Sequence, residues 1–251
     1  MIEEIDLEDI VLIAKKAGEA IMKIYEKDFI IEYKDDKSPL TEADLKANAI
    51  ICEQLEKFYP SIPILSEENK EVEYSIRKNW DYYWCIDPID GTKEFIKKNG
   101  EFTVNIALIY KKTPVLGVVH APAIEVMYKA KKGEGAYKNN QKLPFSFNQY
   151  PKEKLLVVAS KSHLSEETQS FINNLDSKEI EQVSKGSSLK LCMVAEGTAD
   201  IYPRLAPTME WDTAAAHAIV LESGKKVSVF ESTESVEYNK VNLLNPWFIV
   251  K

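Results

Sequence analysis

The run Asp87-Pro88-Ile89-Asp90-Gly91-Thr92-Lys93-Glu94 sets two carboxylates three residues apart, a backbone carbonyl between them and a Gly-Thr pair behind. Oxygen donors clustered this way suit a small hard cation, and free amides at a helix start suit a phosphate. Pro88 biases Asp87 toward extended backbone and removes one amide donor, so both acids and the Ile89 carbonyl can converge on one point. Asp-Pro or Asp-Gly alone is usually a turn. Joined, and opening a helix, they favour a cation and phosphate site.

Other residues can join them. Glu67 follows the apolar pair Ile64-Leu65, and Asp212 lies between Trp211 and Thr213-Ala214-Ala215-Ala216. Each has a local alternative, Glu67 as a solvated loop acid and Asp212 as a helix cap. Thr92 can cap its own helix, and Asp44 can favour a helix dipole. The functional reading pairs these two: Asp44 accepts from the Thr92 hydroxyl, and the pair orients and deprotonates an attacking water. Gly186-Ser187-Ser188-Leu189-Lys190 lacks Walker spacing, yet small polar residues at a helix start can hold a phosphate. Lys132–Tyr137 lacks the third glycine of a dinucleotide loop and reads as a hairpin turn. His120, His163 and His217 have no metal-ligand spacing; His163, in a loop just after a strand, is the one of interest, and His217 reads as structural.

The elements that must position these groups follow from periodicity. Leu7, Ile10, Ala14, Ala17, Ile21 and Ile24 mark one face of a helix over residues 6–27. Phe29–Tyr33 is a short strand and 34–39 a turn. Thr41 then caps a second helix, with Asp44 answering it and Leu45, Ile51, Leu55 and Phe58 continuing it as far as Pro60. Tyr82–Ile86 reads as a buried strand carrying the acids at its end. From Phe102 to Tyr137, strand-like runs separated by Pro, Gly and Lys turns predict an antiparallel meander. Residues 1–150 thus form an α+β unit. A joint is expected at 149–153, and strands and helices then alternate through 151–251 as a smaller α/β unit.

The chain of 251 residues carries 32 basic and 40 acidic side chains, a formal charge of −8, which argues against a nucleic-acid duplex as partner. A small anionic substrate stays open, because a bound cation inverts the local field. The acidic N-terminal segment has no signal-peptide pattern, and no apolar run approaches the roughly 18 residues of a membrane span. Three scattered cysteines, Cys52, Cys85 and Cys192, fit a reducing cytoplasm and frame neither disulfide nor zinc site.

Glu67-Glu68, Asp87-Pro88-Ile89-Asp90-Gly91-Thr92 and Trp211-Asp212-Thr213-Ala214-Ala215, in this order, resemble the three signatures of the inositol monophosphatase superfamily of magnesium-dependent, lithium-sensitive phosphomonoesterases. Asn99–Asn105, Ser160-Lys161-Ser162-His163, Gly186–Lys190, Val194–Gly197 and Tyr202-Pro203-Arg204 look like its bacterial bisphosphate-nucleotide branch. The resemblance spans nearly the whole chain. It implies an α/β (α+β) fold, a layered αβαβα sandwich, with the site between the halves. It implies hydrolysis of adenosine 3',5'-bisphosphate to AMP and phosphate, in sulfate assimilation. It also implies Mg²⁺, with Glu67, Asp87 and the Ile89 carbonyl on one ion, Asp87, Asp90 and Asp212 on a second, and room for a weaker third. Gly91 and Thr92 amides would hold the transferred phosphoryl group. His163, Ser187, Ser188, Lys190 and Arg204 would face the nucleotide and its other phosphate. Lys161 stands where relatives commonly carry Arg, so the bidentate fork is lost there. Similar bacterial proteins associate peripherally with the inner face of the cell membrane, although no amphipathic anchor is evident. The rival readings are a sugar phosphatase of the inositol monophosphatase type and a metal-dependent nucleotide sensor without turnover.

Overall fold

The computed structural model describes residues 2–27, 31–33, 39–70, 72–145, 154–160 and 164–251. The first half runs α1 (Leu7–Tyr25), β1 (Ile31–Tyr33), β2 (Pro39–Thr41), α2 (Glu42–Phe58), β3 (Ile64–Ser66), α3 (Tyr74–Arg77), β4 (Tyr82–Asp90) and α4 (Thr92–Ile96). The meander follows as β5 (Thr103–Tyr110), β6 (Thr113–Ala121), β7 (Val126–Lys131), β8 (Gly135–Lys138) and β9 (Gln141–Lys142). Then come β10 (Leu155–Ser160), α5 (Glu166–Asn173), β11 (Ile180–Lys185), α6 (Leu189–Glu196), β12 (Tyr202–Arg204), α7 (Glu210–Glu222), β13 (Val227–Val229) and β14 (Phe248–Val250).

β3 through β9 form one sheet in chain order, with β3 parallel to β4 and the other neighbours antiparallel. β4 is apolar on both sides because both faces are covered. Trp84 and Ile86 join Ile10, Ile13, Ala17 and Ile21 of α1 and Ile51 and Leu55 of α2. Tyr83 and Cys85, one residue out of phase, join Leu191 and Cys192 of α6 and Ala214, Ala215 and Ile219 of α7. Beyond α6 and α7 lie the parallel pair β10–β11 and the sheet β12–β14–β13, and α5 packs on β12. The result is the expected α/β sandwich. Leu45 and Phe58, apolar members of the second helix, point outward at 49% and 40% exposure.

Two backbone features set the site. In β4, Asp87 pairs with Asn105 and Asp90 with Thr103, so one extra residue is inserted between the acids. Residues three apart on a regular strand face opposite sides; the bulge at Pro88-Ile89 removes that offset, and Asp87 and Asp90 line one cleft. At Gly117 of β6, an added Cβ would lie 2.1 Å from the Ala215 carbonyl oxygen, so α7 rests directly on the sheet backbone.

Candidate active site

Glu67 follows β3, Asp87 and Asp90 flank the β4 bulge, and Asp212 lies in the first turn of α7. Carboxylate oxygens of Glu67, Asp87 and Asp212 all lie within 4.8 Å of one another. Asp87 is 1% exposed, and its Oδ1 accepts the Ile89 amide at 3.0 Å, a turn that folds the carboxylate over the bulge. Burial, then the charges of Glu67, Asp90, Asp212 and Asp44, raises its carboxyl well above the usual range. Burial and the charges of Asp90 and Glu67 push Asp212 up to about 8. Carboxylates this crowded are stable as anions only with a positive counter-charge. The donor set is oxygen alone, which fits a hard divalent cation.

Asp212 has both of its sequence-level roles. Its Oδ2 accepts the Met209 amide at 2.9 Å, so it caps α7 from the third helical position while facing the other acids. Asp44 likewise closes a capping box with Thr41, whose amide and hydroxyl reach its Oδ2 at 2.8 and 2.6 Å. Its other oxygen, Oδ1, accepts the Thr92 hydroxyl at 3.2 Å, and the Ile89 carbonyl lies 3.2 Å from the same hydroxyl. Burial raises the Asp44 carboxyl against the opposing pull of Thr41. Gly91 precedes α4 at φ +90°, a left-handed turn open to glycine.

A cleft of about 800 Å³ joins these groups to the second half of the chain. Glu67, Asp87, Ile89, Asp90, Gly91, Thr92 and Asp212 line it. Ser187, Ser188, Lys190 and Arg204 line it as well, and the Ser188 hydroxyl reaches the acids, 2.8 Å from Asp90 Oδ2. Lys190 is 7% exposed and donates to the Ser187 carbonyl at 2.6 Å; burial lowers its amine to about 8 against the pull of Asp90. Arg204 donates to the Pro207 carbonyl at 2.6 Å, while its Nε and the Ser187 hydroxyl are buried with no hydrogen-bond partner among the described residues. His163 and Lys161 lie outside the described residues.

The inositol monophosphatase family model matches residues 2–246. The chain belongs to the inositol monophosphatase family. It is 45% identical over 247 residues to the 3'(2'),5'-bisphosphate nucleotidase CysQ of Salmonella typhimurium, covering 97% of this chain and 98% of the relative. The crystal structure of CysQ from Bacteroides thetaiotaomicron, described as a bacterial member of that family, superposes with a TM-score of 0.88 at 43% identity, covering 98% and 96% of the two chains. The Thermotoga maritima IMPase gives a TM-score of 0.78 at 28% identity over 96% and 89% of the chains.

Trp211 and Ser160, quoted from the sequence only as members of motifs and given no role, line the cleft. Sequence reasoning missed Glu210. Glu210, fully buried, accepts the Asn239 amide at 2.7 Å, the Lys240 amide at 3.0 Å and the Lys240 ammonium at 2.6 Å, which anchors the first turn of α7 beneath Asp212. The signal was an acid directly before Trp211-Asp212; its partners, some thirty residues on, were not readable from it.

Proposed function

We propose that the chain is a magnesium-dependent phosphomonoesterase that hydrolyses adenosine 3',5'-bisphosphate to AMP and phosphate, in nucleotide recycling linked to sulfate assimilation. The observation that carries this reading is one cleft lined both by Glu67, Asp87, Asp90 and Asp212 and by Ser187, Lys190 and Arg204. Its full-length similarity to the nucleotidase CysQ supports the nucleotide as substrate. Glu67, Asp87 and the Ile89 carbonyl would hold one Mg²⁺, and Asp87, Asp90 and Asp212 a second, with room for a third.

When bound, the ions supply Lewis-acid stabilisation of the phosphoryl oxygens. The chain's own residues do the rest. Thr92 donates its proton to Asp44 Oδ1, which leaves the hydroxyl lone pairs to accept from the attacking water. Asp44, raised by burial, is a better proton acceptor than a solvated aspartate. The Gly91 and Thr92 amides hold the transferred phosphoryl group. The Arg204 Nε and the Ser187 hydroxyl, both without protein partners among the described residues, are donors for the second phosphate. Lys190 adds charge there, and a dianion beside it would draw its amine back toward full protonation. Ser188 lines the same cleft, and His163 is the remaining expected nucleotide contact. The free thiols of Cys52, Cys85 and Cys192 fit a cytoplasmic protein. No helix among the described residues is long and apolar enough to cross a membrane.

Phosphate release from adenosine 3',5'-bisphosphate, inositol 1-phosphate and fructose 1,6-bisphosphate under Mg²⁺ tests the reading. The bisphosphate nucleotide is expected to dominate kcat/KM. Preference for inositol 1-phosphate would make the chain a sugar phosphatase, and tight binding of the nucleotide without product would make it a sensor. Thr92→Val should lower kcat by about 10²- to 10⁴-fold with KM changed only a few-fold. An unchanged kcat would remove the Thr92–Asp44 pair from the mechanism.

A further inference from the structure

We propose that Asn105 is a positioning residue for Asp90, acting through the Ser188 hydroxyl to fix one carboxylate oxygen and leave the other outside the relay. The inference rests on the reading of Asp90 as a cation ligand. Asn105 lies on β5 directly opposite Asp87 and is fully buried. Its Nδ2 donates to Ser188 Oγ at 2.8 Å and, at the longer distance of 3.4 Å, to Asp90 Oδ2. Ser188 Oγ lies 2.8 Å from the same Asp90 oxygen and 2.7 Å from the Asp212 backbone carbonyl.

The proton inventory gives the relay a direction. A serine hydroxyl has one hydrogen and two lone pairs. Asn105 fills a lone pair, so the single hydrogen is shared toward Asp90 and the Asp212 carbonyl. Turning the amide over would set Asn105 Oδ1 against the Asp90 carboxylate with no hydrogen between them. The orientation is therefore fixed by charge. It leaves Asn105 Oδ1 buried with no hydrogen-bond partner among the described residues. That orphan is a standing cost that an apolar residue in the same strand would avoid. The compensation is functional: one hydroxyl on the α6 side keys Asp90 of β4 and the backbone of Asp212 in α7 together. Ser188, 1% exposed, serves this junction with its side chain.

Calorimetric titration of Mg²⁺ into the parent, Asn105→Leu, Ser188→Ala, the double variant and Asp90→Asn tests the relay. Each relay single is expected to weaken Mg²⁺ binding about 10- to 100-fold. The double should lose less than the sum of the two singles, because the Ser188 hydroxyl is common to both. Should Asn105→Leu fail to fold, Ser188→Ala alone carries the test. Asp90→Asn separates the two ideas. If it leaves Mg²⁺ affinity unchanged, Asp90 is no ligand and the underlying reading falls. If it weakens binding while the relay variants stay within twofold of the parent, the relay is overturned. Fully additive losses would overturn it as well. A lower melting temperature with unchanged Mg²⁺ affinity would reduce Asn105 to a packing residue and overturn the proposal.

Discussion

Asp87→Asn is expected to abolish turnover and, in chelator at pH 8, to raise the melting temperature. The two effects share a cause. Asp87 is buried at 1% exposure among Glu67, Asp90, Asp212 and Asp44, and that surrounding charge raises its carboxyl well above the usual range. Without a cation, an anion there is opposed by burial and by every neighbour. A neutral side chain of the same shape removes both penalties, and relief of a buried uncompensated charge is worth on the order of 1–4 kcal/mol. With Mg²⁺ present the same change removes the carboxylate assigned to both proposed ions, and kcat should fall by at least about 10³-fold. Phosphate release and melting curves on the two proteins, with and without chelator, check both halves. Near-parent turnover would take Asp87 out of the mechanism. A melting temperature that falls in chelator would mean that the acids do not oppose one another.

Raising the pH from 4 to 8 in chelator is expected to destabilise the protein progressively, and Mg²⁺ should reverse most of that loss. Asp212 is held at about 8 in the fold, against 3.8 as the ordinary value. Between those limits the folded state keeps a proton that the unfolded chain has released. The stabilisation is therefore complete below about pH 4 and is lost as the pH rises through about 8. Asp87 and Asp90 are raised too and act in the same direction. A cation that binds only the folded, deprotonated cluster adds about 2.7 kcal/mol at a hundredfold excess over its Kd. For a chain of this length that is a shift of about 5–11 °C in Tm. The Mg²⁺-induced shift should be larger at pH 8 than at pH 5.5. A shift independent of pH would place the ion away from these acids.

Much of this arrangement was legible because it is local. The spacing from Leu7 to Ile24 marked α1, and the Thr41–Asp44 box marked the start of α2 within a residue. The Asp-Pro-Ile-Asp-Gly-Thr run carried its own turn chemistry. The parts that were not legible depend on a partner distant in the chain. The bulge in β4 exists only relative to the register of β5. Asn105, a lone amide in the apolar run Thr103–Ala107, was a visible anomaly, but Ser188 is 83 residues away. Arg77, never singled out in the sequence, is 1% exposed because the carbonyls of Lys240 and Val241 receive its guanidinium at 2.6 and 2.9 Å. α7 begins at Glu210, ahead of the cap suggested at Asp212, because the amides of Asn239 and Lys240 satisfy Glu210.

Gly117 gives Asp212 its height above the sheet. No side chain cushions α7 where the Ala215 carbonyl meets β6, so backbone stands on backbone as a hard stop. Distances across the acidic corner are thereby referenced to an interior strand of the seven-stranded sheet. Enlarging or trimming apolar side chains elsewhere in the sandwich should erode folding free energy long before it alters the gap between Asp87 and Asp212, which insulates chemistry from drift in the interior.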